Sequence, residues 1–299
     1  MCYSIKKMKD DSMSNLIQPI QAGQQLLDDI RETTSNQGEV AIWWLGQSGY
    51  AIKTANALFY VDLYLSEHLT KKYAATEKPH IRMTEAPLRG ADLRDMQLIF
   101  ASHKHSDHLD PGSISDIFAN NPDVRLVLSA ALKSYAVETL GLDENRLIPT
   151  MGGETLTLGN LTVHIIPSAH PDIATDDEGN NLFIGFVFEV DGVTLYHSGD
   201  TLAYDGLADR LKPYNVDIAF LPINGTDERR TQLHVPPNMN IDDALQLAHA
   251  IGDPLIIPHH YDMFTFNTVD VSLFEAKADS TGQAYKVMHC GEKFLWRKD

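Results

Sequence analysis

The chain has very little cysteine: only Cys2 and Cys290 occur among its 299 residues. The two residues lie near opposite ends of the chain, and neither belongs to a Cys-x-x-Cys pair. The sequence therefore predicts no disulfide framework. This cysteine usage is typical of a reducing compartment, and we expect a cytoplasmic location.

Long apolar runs and linker-like stretches are also missing. No stretch approaches the ~18 consecutive apolar residues that a membrane-spanning helix needs. The N-terminal segment, residues 1–11, is charged and lacks the apolar core of an export signal. No Pro- or Ser-rich linker divides the rest of the chain. We expect a disordered tail at residues 1–14, followed by one domain over residues 15–299, with no membrane as partner and no export.

Basic residues are scarce as well. Lys and Arg together number 24 against 41 Asp and Glu, which gives a formal net charge of −17. Such a molecule repels phosphate backbones, and no basic stripe offsets the repulsion. We therefore expect a small-molecule substrate rather than nucleic acid, and the sequence leaves a homo-oligomer open.

The residues that are present suit a large folded core, because 43% of them are hydrophobic and only 22% are charged. Their alternation predicts two β-rich halves, each followed by β-α units. Among the predicted elements are a helix at 18–33, a helix at 130–140 and strands at 98–102, 161–166, 193–196, 255–257 and 285–289. Two sheets packed face to face with helices outside, an αβ/βα four-layer sandwich in the α/β class, accommodate this order.

The most informative stretch is His-Lys-His-Ser-Asp-His at residues 103–108, directly after a predicted buried strand. Imidazoles and carboxylates are the ligands that a borderline divalent ion prefers. His103 and His105, two positions apart, can point the same way and bind one metal ion. Asp107 and His108 follow a turn and can serve a second ion. The alternative at this point is a solvated histidine-rich loop.

Further candidate ligands follow three later strands. His170 comes after the strand at 161–166, Asp200 after the strand at 193–196, and the pair His259 and His260 after the strand at 255–257. The carboxyl ends of strands are the usual place for α/β active sites. A lone histidine in such a place is more often structural, but three strand ends together favour a metal centre.

The order of these groups resembles that of the metallo-β-lactamase superfamily, and within it the L-ascorbate-6-phosphate lactonase (UlaG-like) family. The resemblance extends from about residue 40 to residue 297. The pieces that support it are Trp43-Trp44-Leu45-Gly46, Ser48-Gly49, His103 to Asp110, Leu195 to Asp200, Ile257-Pro258 with His260, and Gly291 to Phe294.

The resemblance implies the fold of that superfamily and a site with two divalent metal ions. It assigns the first ion to His103, His105 and His170, and the second to Asp107, His108 and His260, with Asp200 as the bridge. His259 and His197 would then support the ligands from behind. Imidazole-rich ligation favours zinc, whereas the lactonases favour manganese.

The implied function is metal-dependent hydrolysis, specifically of a sugar-derived lactone, with or without a phosphate, such as L-ascorbate 6-phosphate. Asp107 would be the catalytic carboxylate that orients the attacking water and moves its proton. By the same resemblance Arg229, with Arg230 as the alternative, would hold a substrate phosphate. Tyr261 would shape the rim of the substrate pocket.

Other functions fit a two-metal site of this kind. A phosphodiesterase or another ester hydrolase of the same superfamily is the main alternative, and a non-catalytic metal-binding protein is a further one. A flavo-diiron oxidoreductase would have Glu in place of His105, and a secreted zinc β-lactamase usually has Cys in place of Asp200. Both are therefore excluded as interpretations.

Overall fold

The computed structural model of the protein describes residues 16–298. The predicted tail at residues 1–14 lies outside the described residues. The strands run in chain order as β1 Glu39–Gly46, β2 Gly49–Lys53, β3 Leu58–Val61, β4 Leu98–Ala101, β5 Arg125–Ser129, β6 Leu147–Thr150, β7 Thr155–Leu158, β8 Leu161–Pro167, β9 Ile184–Val190, β10 Val193–His197, β11 Ile218–Pro222, β12 Leu255–His259 and β13 Lys293–Arg297. The helices are α1 Gly23–Glu32, α2 His68–Tyr73, α3 Pro111–Asn120, α4 Leu207–Leu211, α5 Glu228–Gln232, α6 Ile241–Ala250 and α7 Val271–Thr281.

The strands form two mixed sheets. The first has the order β13-β1-β2-β3-β4-β5-β6, and the second has the order β12-β11-β10-β9-β8-β7. In the first sheet β3 to β6 are parallel, and in the second β10 to β12 are parallel. Parallel neighbours bring their carboxyl ends to the same edge of a sheet, and the candidate ligands after β4, β10 and β12 follow such ends. His170 differs, because β8 pairs antiparallel with β7 and β9.

Apolar side chains fill the space between the sheets and the space under the helices. Phe59 and Phe100 from the first sheet meet Phe188 from the second, with ring centroids 4.7 and 4.9 Å apart. Each of these buried side chains stabilises the fold by about 1.5–3 kcal/mol relative to exposure. Leu26 of α1 and Ile117 of α3 pack on the outer face of the first sheet. Residues of α4, α6 and α7 belong to the core of the second sheet. The predicted αβ/βα sandwich is thus confirmed.

Helix α3 fixes where the chain turns after the histidine-rich stretch. Asp110 caps the helix by accepting a hydrogen bond from the backbone N–H of Gly112 at 3.0 Å, and Pro111 occupies its first turn. Asp110 also accepts from Ser66 Oγ at 2.7 Å and so ties the loop after β3 to the same point. Capping by Asp and Pro at the start of a helix is a strong local signal.

Two predicted elements differ from the structure. The strand predicted at 285–289 is absent, and only an isolated bridge between Ile256 and Tyr285 occurs there. The helix predicted at 130–140 is replaced by a 3₁₀ turn, Ala130–Leu132, and a π-helical turn, Tyr135–Thr139. None of the helices within residues 16–298 combines the length and apolarity required to cross a membrane.

Candidate metal centre

Four strand ends bring the candidate ligands together. The stretch 103–108 follows β4, and His170 follows β8. Asp200 follows β10, and His260 follows β12. Because β4 lies in the first sheet and the other three strands in the second, the site forms where the edges of the two sheets meet.

The first ligand group consists of His103, His105, His170 and Asp200. Each residue offers one ligand atom, and these atoms all lie within 4.8 Å of one another. His103 Nε2 lies 2.9 Å from His105 Nδ1, and the His170 ring is 5.2 Å from the His105 ring between centroids. These distances allow the group to hold one metal ion.

The second ligand group consists of Asp107, His108 and His260, whose ligand atoms also lie within 4.8 Å of one another. Asp107 Oδ2 lies 3.9 Å from His108 Nε2 and 3.8 Å from His260 Nε2. The backbone of His260 has φ +69°, a left-handed conformation that is uncommon outside glycine. His260 directly follows the end of β12, and it adopts this conformation where its ring joins the second group.

Asp200 lies between the two groups. Its Oδ1 atom is 3.3 Å from His108 Nε2, and its Oδ2 atom is 3.3 Å from His260 Nε2 and 3.6 Å from His170 Nε2. Gly199, just before it, has φ +58°, and a side chain there would meet Ser102 Cβ at 2.6 Å. Glycine therefore permits the tight turn that brings this carboxylate against both ligand groups.

Burial keeps the imidazoles of the first group neutral. It lowers the pKa of His103 well below its usual range, it lowers the pKa of His105, and it lowers the pKa of His170 to about 4. A neutral imidazole offers a nitrogen lone pair, which is the form that binds a metal ion.

The second group is arranged to attract a positive charge. Burial alone would lower the pKa of His108, but the carboxylates of Asp200, Asp62 and Asp107 overcome that effect and raise the pKa well above its usual value. For Asp200, burial acts upward on the pKa, and the charges on His260 and His108 lower it further than burial raises it. The carboxylate is thus ionised beside the imidazoles.

The residues present fit a divalent cation. His108 Nε2 and Asp200 Oδ1 are buried and have no hydrogen-bond partner in the described part of the chain. Buried polar atoms are nearly always satisfied, so two orphaned ligand atoms that face each other indicate a cation as their missing partner. The donor set of imidazoles and carboxylates suits zinc and related ions.

Asp62, a residue that sequence reasoning missed, holds the second group from behind. His108 Nδ1 donates to Asp62 Oδ2 at 2.7 Å, and Asp62 also accepts from Ser102 N at 2.7 Å and Ser102 Oγ at 2.6 Å. Such a carboxylate fixes the orientation of the ring and directs its other nitrogen toward the metal site. A search for carboxylates at strand ends could have found it, because Asp62 directly follows β3.

Gln47 was missed as well. Its Nε2 donates to Asp107 Oδ2 at 2.8 Å and lies 3.0 Å from His260 Nε2, and the side chain is fully buried. Gln47 occupies the turn between β1 and β2 with φ +52°. No periodic signal marks a glutamine in a turn as part of a site, because only the folded chain shows what the turn faces.

His259 and His197 form a buried layer beside the ligands. Their rings stack at 5.3 Å with an interplanar angle of 7°, and both side chains are fully buried. Ser48 anchors both: its Oγ lies 3.0 Å from His259 Nδ1, and its carbonyl oxygen accepts from His197 Nε2 at 2.9 Å. Neither residue belongs to the two ligand groups of the described chain.

A cavity of about 470 Å³ opens above the ligand groups. His105, Asp107, His170, Asp200 and His260 face it, which makes the ligand groups its floor. The segment at 69–80 that contains α2, the segment at 234–236 and the ring of Phe183 contribute to its sides. The volume is sufficient for a small organic molecule.

The two predicted substrate contacts lie elsewhere. Arg229 Cζ is 5.6 Å from the centroid of the Phe266 ring, and the residue does not line the cavity. The neighbouring Arg230 is buried, where its Nε donates to Asp227 Oδ2 at 2.7 Å. Tyr261 is 1% exposed and donates its hydroxyl hydrogen to the carbonyl of Met288, so it does not form a rim. The structure therefore brings neither side chain to the cavity.

The fold has two mixed sheets with helices outside, and imidazole and carboxylate groups meet where the edges of the two sheets come together. These features define a metal-dependent hydrolase of the metallo-β-lactamase type. The chain belongs to the family described as "Beta-lactamase superfamily domain", whose profile matches residues 57–261. That range includes all seven predicted ligands.

Among curated proteins, the chain is 23% identical over 311 aligned positions to "Probable L-ascorbate-6-phosphate lactonase UlaG" of Escherichia fergusonii. The alignment covers 93% of this chain and 86% of the relative. The protein of the same description from Salmonella choleraesuis is 22% identical with the same coverage. The resemblance to UlaG-like proteins is thereby confirmed.

Solved structures share the fold. An isothiocyanate hydrolase from Delia radicum gut bacteria aligns with a TM-score of 0.69 at 17% identity, covering 86% of this chain and 100% of that chain. Igni18, described as a novel metallo hydrolase from the archaeon Ignicoccus hospitalis, aligns with a TM-score of 0.63 at 21% identity, covering 87% and 100%. At these identities the likeness establishes the fold alone.

Proposed function

We propose that the protein is a lactonase that binds two divalent metal ions, zinc or manganese, and opens a sugar-derived lactone with or without a phosphate, such as L-ascorbate 6-phosphate. The coarser activity, metal-dependent hydrolysis, follows from the family. The choice of a lactone is supported by the description of the curated relatives, to which 93% of the chain aligns.

One observation supports two ions more directly than any other: Asp200 Oδ1 lies 3.3 Å from His108 Nε2, and its Oδ2 lies 3.3 Å from His260 Nε2 and 3.6 Å from His170 Nε2. His170 belongs to the first ligand group, whereas His108 and His260 belong to the second. A carboxylate shared between the groups would offset the repulsion between two cations. Seven ligands are also too many for one tetrahedral site.

When bound, two divalent ions supply a water of lowered pKa and polarise the carbonyl oxygen of an ester. Asp107 supplies the base. Burial acts upward on the pKa of this carboxyl group, but the charges on His108 and His260 outweigh burial and lower it. Asp107 is therefore ionised at neutral pH and can accept a proton from the attacking water.

The proton then has a defined destination. Water forms a bond to the ring carbonyl carbon of the lactone, the ring C–O bond breaks, and Asp107 returns the proton to the leaving alkoxide. The new carboxylic acid ionises and releases its own proton to solvent. Gln47 Nε2, 2.8 Å from Asp107 Oδ2, holds the carboxylate in one orientation during both transfers.

The proposal is tested with protein reconstituted separately with Zn²⁺ and Mn²⁺ and assayed on neutral lactones, phosphorylated lactones, thioesters and phosphodiesters. We expect lactones to be the preferred class, and Asp107→Asn, which keeps the shape of the side chain, to abolish turnover. Preference for phosphodiesters would replace the lactonase with the phosphodiesterase alternative. Tight metal binding without turnover of any class would indicate a non-catalytic metal-binding protein.

A further inference from the structure

Most lysines of the described chain fall into one of two groups, and Lys53 and Lys71 belong to neither. On the outer surface, many lysines form an ion pair with a carboxylate; these are Lys133, Lys212, Lys277, Lys286, Lys293 and Lys298. Three others line the cavity above the ligand groups, namely Lys72, Lys78 and Lys104. Within residues 16–298, none of these three has a carboxylate within ion-pair distance.

The three cavity lysines come from two elements. Lys72 lies in α2 and Lys78 in the segment after it, whereas Lys104 stands between the ligands His103 and His105. Lys104 Nζ lies 4.5 Å from the centroid of the Tyr135 ring, which also lines the cavity. A cation held over an aromatic face is steadied without being neutralised.

Lys72 and Lys104 are exposed and Lys78 is half-buried, so water can solvate the three ammonium groups when nothing is bound. The chain has a net charge of −17, so carboxylates are abundant, yet none of those in the described chain pairs with these lysines. The carboxylates in the site are already engaged: Asp62 with His108, Asp107 with Gln47, and Asp200 with the imidazoles around it. The carboxylates of the site therefore contact other groups and form no ion pair with these lysines.

We propose that Lys72, Lys78 and Lys104 form an anion-binding subsite that selects substrates with a phosphate or carboxylate substituent. This inference rests on the proposed function, because it places the scissile ester on the metal centre and the anionic substituent on the lysines. It also assigns to these lysines the role that the sequence suggested for Arg229.

The protein as a whole repels an anion, whereas the cavity lysines attract it. A net charge of −17 repels an anion at a distance, and that repulsion is screened beyond about 8 Å at physiological ionic strength. Inside the cavity the three ammonium groups attract it. The rings of Phe183 and Tyr73 also line the cavity and offer apolar surface to the carbon skeleton of a small molecule. The substrate class is thus a compact anion with an ester ring.

The decisive experiment compares a lactone in three forms: neutral, phosphorylated and carboxylated. The variants are K72Q, K104Q and the double variant, each with its metal content verified, and the matched control is K71Q. Lys71 precedes Lys72 in α2 and is exposed, but it does not line the cavity. The wild type and the four variants are measured by steady-state kinetics and by calorimetric titration of each lactone.

We expect the double variant to raise KM for an anionic lactone roughly 10- to 100-fold, as expected for the loss of charge-assisted contacts. kcat on the anionic lactone and both constants on the neutral lactone should stay as in the wild type. K71Q should behave as the wild type throughout. High salt should weaken binding of the anionic lactone to the wild type more than to the double variant. Comparing the rise in KM for the phosphorylated lactone with the rise for the carboxylated lactone identifies the substituent that the subsite prefers.

Equal loss on the neutral and anionic lactones, or an equal effect of K71Q, would overturn the subsite. So would wild-type binding of both anionic lactones by the double variant, because Lys72 and Lys104 would then not hold the anion. The calorimetric titration measures binding and does not require the lactone to be hydrolysed. If no lactone is hydrolysed, the proposed lactonase activity fails, while a selective loss of anion binding in the double variant still supports the subsite.

Discussion

The floor and the wall of the cavity are built in different ways. The floor is formed by the two ligand groups, of which His105, Asp107, His170, Asp200 and His260 face the cavity, whereas His103 and His108 do not line it. The wall includes Lys72, Lys78 and Lys104 together with the rings of Tyr73, Tyr135 and Phe183. Floor residues follow strand ends and are held by partners such as Asp62 and Pro237. The lysines of the wall have no carboxylate partner among the described residues.

This difference indicates that the floor and the wall determine different properties of the site. A floor whose groups are fixed by strands and hydrogen bonds determines the reaction class, because metal ligation requires a defined geometry. A wall with uncompensated charge determines which molecule is held above that floor. Substitutions in the floor should therefore affect metal content and kcat, whereas substitutions in the wall should affect KM or stability.

Asp200→Ala is expected to have the largest effect, because it removes the carboxylate shared by both ligand groups. The variant should lose at least one equivalent of metal and at least about 1000-fold in kcat/KM, in keeping with the several kcal/mol that metal ions contribute to hydrolysis. Elemental analysis after gentle purification gives the metal content. Retention of two equivalents would show that Asp200 does not bridge.

Substitution of the adjacent residues His259 and His260 tests which of the two is a metal ligand. His260→Ala should lose the second metal ion, since His260 Nε2 lies 3.3 Å from Asp200 Oδ2. His259→Ala should keep both ions and should instead lower the free energy of unfolding by about 1–3 kcal/mol, because Ser48 and His197 lose a buried partner. Metal analysis and chemical denaturation distinguish the two. The reverse pattern would exchange their roles.

Asp62→Asn examines the support beneath the floor. The amide keeps the size of the side chain but would present an NH₂ group either to the backbone N–H of Ser102 or to Ser102 Oγ and His108 Nδ1, whereas the carboxylate accepts at both oxygens. We expect metal affinity to fall roughly 10- to 100-fold, the usual cost of removing such a supporting carboxylate. Competition with a chelator measures the affinity. Glu39→Gln, far from the site on β1, is the control for loss of one negative charge.

The floor was predictable from the sequence because each ligand follows a strand whose apolar pattern is readable. Strands β4, β8 and β10 were each predicted within one residue of their observed bounds. The ends of β4, β10 and β12 each lie beside a parallel neighbour, so side chains after them are expected at one edge of their sheet. Strand β8 pairs antiparallel with both neighbours, so this rule does not place His170. Asp62 and Gln47 were missed because their importance comes from what they contact after folding.

The wall was not predictable in the same way. The stretch at 66–94 has no clear period, and its path over the site depends on tertiary anchors such as Arg82, which donates to the carbonyl of Ser66 at 2.8 Å. The strand predicted at 285–289 failed for a related reason. Its residues alternate as a strand would, but only Tyr285 forms a bridge, to Ile256 in β12. The alternation of apolar residues indicates that a segment can be extended, but it does not predict which strand that segment pairs with.

The smallest expected effects come from the arginine pair beside the wall, and they separate a structural role from a substrate role. Arg230 is buried, and it donates from Nη1 to Asn267 Oδ1 at 2.8 Å and from Nη2 to the carbonyl of Asn224 at 3.0 Å. Arg230→Ala leaves the Asn224 carbonyl without this donor, while Asn267 Oδ1 still accepts from Asn224 Nδ2, and the change should cost about 1–3 kcal/mol of unfolding free energy. Arg229→Ala should leave both the melting temperature and KM for a phosphorylated lactone unchanged, since Arg229 does not line the cavity. A selective rise in that KM for Arg229→Ala would return the anion-binding role from the cavity lysines to the arginine.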